Sequence, residues 1–186
     1  MMEREKVVLR EEDVGRAMVR IAHEVAERNP DPGVLAIVGI HRRGAFLAQR
    51  LHALLEELVG VPIPLGDLDI GFYRDDVARR PDAPVVHASH IEFDPGGHTV
   101  VVVDDVLYTG RTARAAIEAL FDYGRPERVQ LAVLADRGHR ELPIRPDYVG
   151  KNLPTSRREH VRVRVSELDG RDEVAIVPAV AVEVGG

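Results

Sequence analysis

The 186 residues are the length of one domain, and a 45% hydrophobic content supplies a core that needs no cross-links. The absence of cysteine excludes disulfides and thiolate metal sites, and a formal net charge of -6 excludes a whole-surface nucleic-acid binder while leaving room for a local basic face. No apolar run approaches the roughly 18 residues of a membrane span and no charged-then-apolar leader opens the chain, so a cytoplasmic protein without a membrane partner is expected.

Val7 to Arg10 reads as a short strand and Glu11 to Arg28 as an amphipathic helix, with Val14, Met18, Ile21, Ala22 and Val25 at helical spacing. Asn29-Pro30-Asp31-Pro32-Gly33 stops that helix. An apolar strand, Val34 to Gly39, precedes a helix from Gly44 to Val59 with Phe46, Leu47, Leu51, Leu54, Leu55 and Leu58 inward. Ile63 to Phe72 reads as a strand, Tyr73 to Pro84 as a polar flexible loop and Val85 to Phe93 as a returning strand. After a turn at Asp94-Pro95-Gly96-Gly97 come a buried strand from Thr99 to Asp104, a helix from Thr112 to Tyr123 and a strand from Arg128 to Ala135.

Strands alternating with helices predict an α/β fold, a mostly parallel sheet covered on both faces. The tail from Asp136 to Gly186 has little helical periodicity and short Val-rich runs. It is expected to cap one end of the sheet as a small hood, with a last strand near Val174 to Val177, so that residues 1–186 form a single domain.

The string VVVVDDVLYTGRT, Val100 to Thr112, carries the most chemistry. Ligands of open parallel sheets bind beyond the carboxyl ends of the strands, where Asp104 and Asp105 fall. Leu107 to Thr112 then leads into a helix, whose first turn offers unpaired N–H groups and a partial positive charge. Gly110 lets the backbone close around an anion, Thr109 and Thr112 add hydroxyls, and Arg111 adds charge. A ribose 5-phosphate satisfies both ends at once, its phosphate in the loop and its hydroxyls on the two acids. Those acids also offer oxygen ligands to Mg²⁺, directly or through water. Neither a Walker loop nor a G-x-G-x-x-G run occurs.

At this string the sequence resembles the type I phosphoribosyltransferase family. RIAHEVAERN, VGIHRRG, DIGFYRDD and LADRGHRELPIRPDYVGKNLPTS narrow the resemblance to members that pair uracil phosphoribosyltransfer with attenuation of pyrimidine operons. It implies the type I phosphoribosyltransferase fold, with the hood largely from 136–186 and a flexible loop. It also implies formation of UMP and pyrophosphate from uracil and phosphoribosyl pyrophosphate (PRPP), with Mg²⁺, and binding of leader mRNA when UMP or UTP is abundant. The family suggests a homodimer or homotetramer. Uracil transfer without RNA regulation, an RNA regulator that senses UMP with feeble catalysis, and a purine transferase are the competing readings.

The resemblance also implies residue roles. Val100, Val101, Val102, Val103, Asp104, Asp105, Val106, Leu107, Tyr108, Thr109, Gly110, Arg111 and Thr112 would form the PRPP site, with Asp104 and Asp105 catalytic. Ile40, His41, Arg42, Arg43 and Gly44 would form the pyrophosphate loop, joined by Arg74 from the flexible loop. Family members often carry Lys-Thr-Arg there; His41 and Arg42 depart from that pattern, which leaves the RNA contact of the usual lysine without a counterpart. Asp136, Arg137, Tyr148 and Val149 would meet the base, Tyr148 by stacking. Asp136 and Arg137 stand where purine-specific relatives place a lysine, which favours a pyrimidine. Arg16, Arg20, His23, Arg43, His139, Arg140 and Lys151 would contact RNA.

Overall fold

Val100 to Val103 form the centre of the molecule in the computed structural model, which describes residues 5–73 and 88–178. They lie in β4 (Thr99–Leu107), the middle strand of a five-stranded parallel sheet. Its neighbours are β2 (Leu35–Ile40) and β5 (Arg128–Asp136), with β3 (Leu65–Leu68) and β6 (Tyr148–Asn152) at the edges, in the order β3-β2-β4-β5-β6. The alternation of side chains along a strand divides the core in two. Val101 and Val103 join Leu35, Ile37 and Leu134 on one face, while Val100 and Val102 join Ala36, Val38 and Val133 on the other. Strands buried on both faces read as continuous apolar runs, as here.

The first face is covered by α1 (Glu11–Arg28) and α2 (Arg43–Val59), through Val14, Ile21, Val25, Leu47, Leu51 and Leu55. Leu58, expected inward, is 43% exposed near the end of α2. The second face is covered by α3 (Arg111–Phe121), through Ala113, Ala116, Ala119 and Leu120.

β1 (Lys6–Arg10), β7 (His160–Arg164) and β8 (Glu173–Val177) form a separate antiparallel sheet in the order β1-β8-β7, with a short α4 (Ser166–Asp169) between β7 and β8. The hood therefore includes the first strand of the chain, and the segment Tyr148–Asn152 belongs to the main sheet. Arg50 of α2 docks this hood: its guanidinium donates to Asp172 at 2.7 and 2.8 Å and to Glu167 at 2.8 and 2.6 Å. Such a bidentate arrangement fixes orientation better than a single contact.

The predicted strand Ile63 to Phe72 is shorter than expected: β3 is followed by a 3-10 turn at Gly71–Tyr73. Of the predicted returning strand, the described part makes an isolated bridge, His90 with Asp67. Arg74 and the rest of the predicted flexible loop lie outside the described residues. Among the described residues no helix is long and apolar enough to cross a membrane.

Candidate active site

The carboxyl ends of β2, β3, β4 and β5 form one rim of the main sheet. Asp104 and Asp105 stand on it at the end of β4. Asp104 is buried, and its Oδ1 accepts from the Asp105 N–H at 2.9 Å. Asp105 Oδ1 accepts from the Val106 N–H at 2.8 Å. Burial pushes the Asp105 carboxyl above its ordinary value, against the opposing pull of its hydrogen bonds to Asp104 and Val106 and of the Arg43 charge. These acids are thus held in place by the backbone rather than solvated at random.

Gly44 lets the start of α2 come close to them. A Cβ there would meet Val103 O at 2.6 Å and Asp104 Cα at 3.1 Å.

Beyond the acids the chain turns at Gly110, which has φ 93° and precedes the first residue of α3 without supplying a side-chain cap. Only glycine adopts that conformation readily. The first intrahelical bond, from the Arg114 N–H to Gly110 O at 3.0 Å, lies beyond the Thr112 and Ala113 N–H groups, which face the loop end of the helix where an anion is favoured. The loop is braced from behind: Glu141 and Leu142 N–H donate to Thr109 O at 2.9 and 3.1 Å, and Arg140 Nη1 donates to Tyr108 O at 2.9 Å. Thr109 Oγ1 accepts from the Arg111 N–H at 3.3 Å. A cavity of about 330 Å³ results, lined by Val106, Leu107, Tyr108, Thr109, Gly110, Arg111, Thr112 and Glu141. Arg111 Nε donates to Glu141 Oε2 at 2.9 Å across its rim. Glu141 was not foreseen, because nothing local in ELPIR signals a contact thirty residues upstream.

Several predicted contacts take other roles. Val100, Val101, Val102 and Val103 are at most 3% exposed, so they support the PRPP string as core and do not line the cavity. Ile40 is likewise core at 1% exposure. The His41 N–H, expected to face pyrophosphate, donates to Leu68 O at 2.9 Å. The His41–Arg42 peptide bond is cis, and Arg42 is exposed. Arg43 forks onto Asp169 of α4, with Nη2–Oδ1 at 2.9 Å and Nε–Oδ2 at 3.3 Å, which links the loop to the hood. Asp169 is a second residue that sequence pattern did not single out.

Tyr148 is corrected from base-stacking residue to core residue. It begins β6 level with Ala132, is 1% exposed, and its hydroxyl donates to Gln130 Oε1 at 2.9 Å and accepts from Asn29 Nδ2 at 3.2 Å. Val149 pairs with Val133 in the same edge of the sheet. Asp136 and Arg137 do reach the rim. Asp136 accepts from the Gly138 N–H at 3.0 Å and from Arg140 Nη2 at 2.6 Å. Arg137 is 5% exposed; its Nη2 donates to Ser156 O and Glu159 O at 3.0 and 2.8 Å, and its guanidinium lies 4.1 Å from the Tyr108 ring centre. Its Nε is buried with no protein partner among the described residues. A donor in that state is costly unless a ligand satisfies it.

The predicted RNA residues divide. Arg16, Arg20 and His23 line one open depression on α1, together with Glu12, Gly15 and Val19. Arg20 Nη2 donates to Val149 O and Gly150 O at 3.0 and 2.6 Å, which sets the exposed Lys151 beside them. Arg140 and His139 stand apart from this face. The Arg140 guanidinium is committed to Tyr108 O, Ile144 O and Asp136, and His139 Nε2 lies 2.6 Å from Thr155 O, so both shape the loop behind the cavity.

The family model described as phosphoribosyl transferase domain matches residues 7–167. The bifunctional protein PyrR of Roseiflexus sp. (strain RS-1) is 61% identical over 178 residues, covering 95% of this chain and 97% of that relative. The protein of the same name from Deinococcus deserti is 57% identical, over 91% and 92%. Among solved structures, the hypoxanthine phosphoribosyltransferase of Trypanosoma cruzi shares the fold at a TM-score of 0.70 and 19% identity, over 95% of this chain and 98% of that one. The purine phosphoribosyltransferase of Pyrococcus horikoshii aligns at 0.61 and 29%, over 81% and 88%. The parallel sheet, the hood and the acid-tipped central strand are those of the type I phosphoribosyltransferase fold, and the chain belongs to the phosphoribosyl transferase domain family and, within it, to the bifunctional PyrR proteins.

Proposed function

We propose that the chain transfers the 5-phosphoribosyl group of PRPP to uracil, giving UMP and pyrophosphate, and binds pyrimidine-operon leader RNA in response to UMP or UTP. The observation that carries the enzymatic reading is the 330 Å³ cavity at the start of α3, lined by the segment Val106 to Thr112 that directly follows the paired acids of β4. The phosphate takes the N–H groups and hydroxyls of Thr109 to Thr112, while the ribose hydroxyls donate to Asp104 and Asp105. Uracil N1 attacks C1 of the ribose as the C1–O bond breaks and its electrons leave with pyrophosphate. Asp105, raised by burial, is the candidate to stabilise the ribosyl cation or accept the N1 proton. Positioning and charge stabilisation supply most of such a rate enhancement.

The carboxylate oxygens of Asp104 and Asp105 suit Mg²⁺, a hard ion that, when bound, neutralises charge on the departing pyrophosphate. Arg137 and Asp136, at the carboxyl end of β5, are the residues this reading places beside the base.

Arg16, Arg20, His23 and Lys151, gathered where α1 meets β6, form the proposed RNA face. A local basic face on an acidic chain favours contacts that weaken steeply with salt and a looped RNA over duplex. The chain assembles as a homodimer or homotetramer in this reading, which light scattering measures directly.

Incubation with labelled uracil, PRPP and Mg²⁺, with hypoxanthine in parallel, tests the chemistry. UMP formation is expected; its absence removes the enzyme reading, and preferential IMP formation replaces uracil with a purine. Titration of a leader RNA with and without UMP tests regulation, which fails if UMP does not tighten binding at moderate salt.

A further inference from the structure

Away from Asp104 and Asp105, a second cluster of potential ligands occupies the same rim. His41 follows β2, Asp67 lies in β3, and His90 comes from the segment bridged to Asp67. Backbone bonds fix the three relative to one another. Asp67 N–H donates to His90 O and His90 N–H to Asp67 O, both at 2.9 Å, and His41 N–H donates to Leu68 O at 2.9 Å. On this frame the side chains converge. His41 Nε2 is 2.5 Å and His90 Nδ1 is 3.2 Å from the same Asp67 Oδ1, and one candidate ligand atom from each residue lies within 4.8 Å of the others.

We propose that His41, Asp67 and His90 bind a divalent transition metal of borderline softness, with Zn²⁺ as the reference ion. Two imidazoles and a carboxylate form a donor set that suits Zn²⁺, Ni²⁺ or Co²⁺, whereas Mg²⁺ prefers oxygen ligands and water. Bonds of about 2.0–2.2 Å to one ion place the ligand atoms about 3–3.5 Å apart. The His90–Asp67 pair already has that spacing, and the His41–Asp67 pair reaches it by opening less than about 1 Å. Imidazole donates a ring-nitrogen lone pair to a metal, and the carboxylate supplies charge that a dication offsets. His90 is 64% exposed, which leaves an entry path, while His41 and Asp67 are half-buried at 23% and 27%. Three protein ligands leave further positions to water or to an anion. The metal would staple the β2–α2 loop to β3, with Arg42 and Arg43 next in the chain. This site does not depend on the phosphoribosyl reading.

Metal-stripped full-length protein titrated with Co²⁺ tests the site through visible d–d absorption, and Zn²⁺ competition then gives the affinity. We expect one metal per chain at low-micromolar affinity, retained in millimolar Mg²⁺. His90→Ala and Asp67→Asn should each weaken binding at least about tenfold, while keeping the circular dichroism spectrum of the parent. His98→Ala, which removes an imidazole outside the cluster, should bind as the parent does. No stoichiometric binding by the parent, unchanged affinity in folded His90→Ala, or displacement by Mg²⁺ would overturn the assignment. Uracil transfer enters none of these readouts, so its failure would leave them intact.

Discussion

Replacing Gly44 by alanine tests whether the close approach of α2 to β4 holds the acids in place. The added Cβ would sit 2.6 Å from Val103 O and 3.1 Å from Asp104 Cα. The first distance falls about 0.8 Å short of an ordinary 3.4 Å contact, and both neighbours are backbone atoms that cannot rotate away. Overpacking of this kind costs about 1–3 kcal/mol. The helix propensity gained by alanine returns at most about 1 kcal/mol, so a net loss is expected. Pushing back the Val103 carbonyl, and with it Asp104 by about 0.3 Å or more, should also lower turnover, by about tenfold. Gly15→Ala is the control: it lies in α1 with nothing within 4 Å of its added Cβ, and should stabilise by about 0.5–1 kcal/mol with normal turnover. Urea denaturation and initial rates of UMP formation measure both quantities. A Gly44→Ala protein with parental stability and parental turnover would refute the reasoning.

Asp105→Asn should reduce turnover at least about tenfold, or 1.4 kcal/mol in barrier, yet raise the melting temperature of the unliganded protein at neutral pH. A carboxyl whose folded pKa is raised stabilises the fold below its ordinary 3.8 and loses that contribution as pH rises through the folded value. The stability difference should therefore shrink in acid; a difference independent of pH would contradict the burial of this charge. Tyr148→Phe should lose about 1–2 kcal/mol through the buried Asn29–Gln130 hydrogen bonds and leave the KM for uracil unchanged, whereas a raised KM would restore the stacking role. Lys151→Ala should weaken leader-RNA binding and lower its salt slope by about one, sparing UMP formation; equal loss of both would place the lysine in the fold instead.

The parts legible in the sequence are those built from neighbours in the chain. Four valines, two acids and a Thr-Gly turn before a helical repeat specify β4, its rim and the start of α3 within thirteen residues. Non-local pairing carried no such mark. Val7 to Arg10 reads as a strand, but nothing in it names β8 as its partner 160-odd residues away. Tyr148 was misplaced by the resemblance, which sets an aromatic of this segment on the base; re-entry into the sheet beside β5 buries its ring instead. Charge counting also says nothing of which basic side chains are engaged within the fold. Arg140 carries the expected charge, but three acceptors within its own loop and at Tyr108 take its guanidinium.

The crystal structure of a UMP complex tests the central claim most directly. The account predicts phosphate density within hydrogen-bonding distance of the Gly110 to Thr112 backbone, and both ribose hydroxyls on the Asp104 and Asp105 carboxylates. Phosphate bound elsewhere, or a ribose that leaves the two acids untouched, would contradict it.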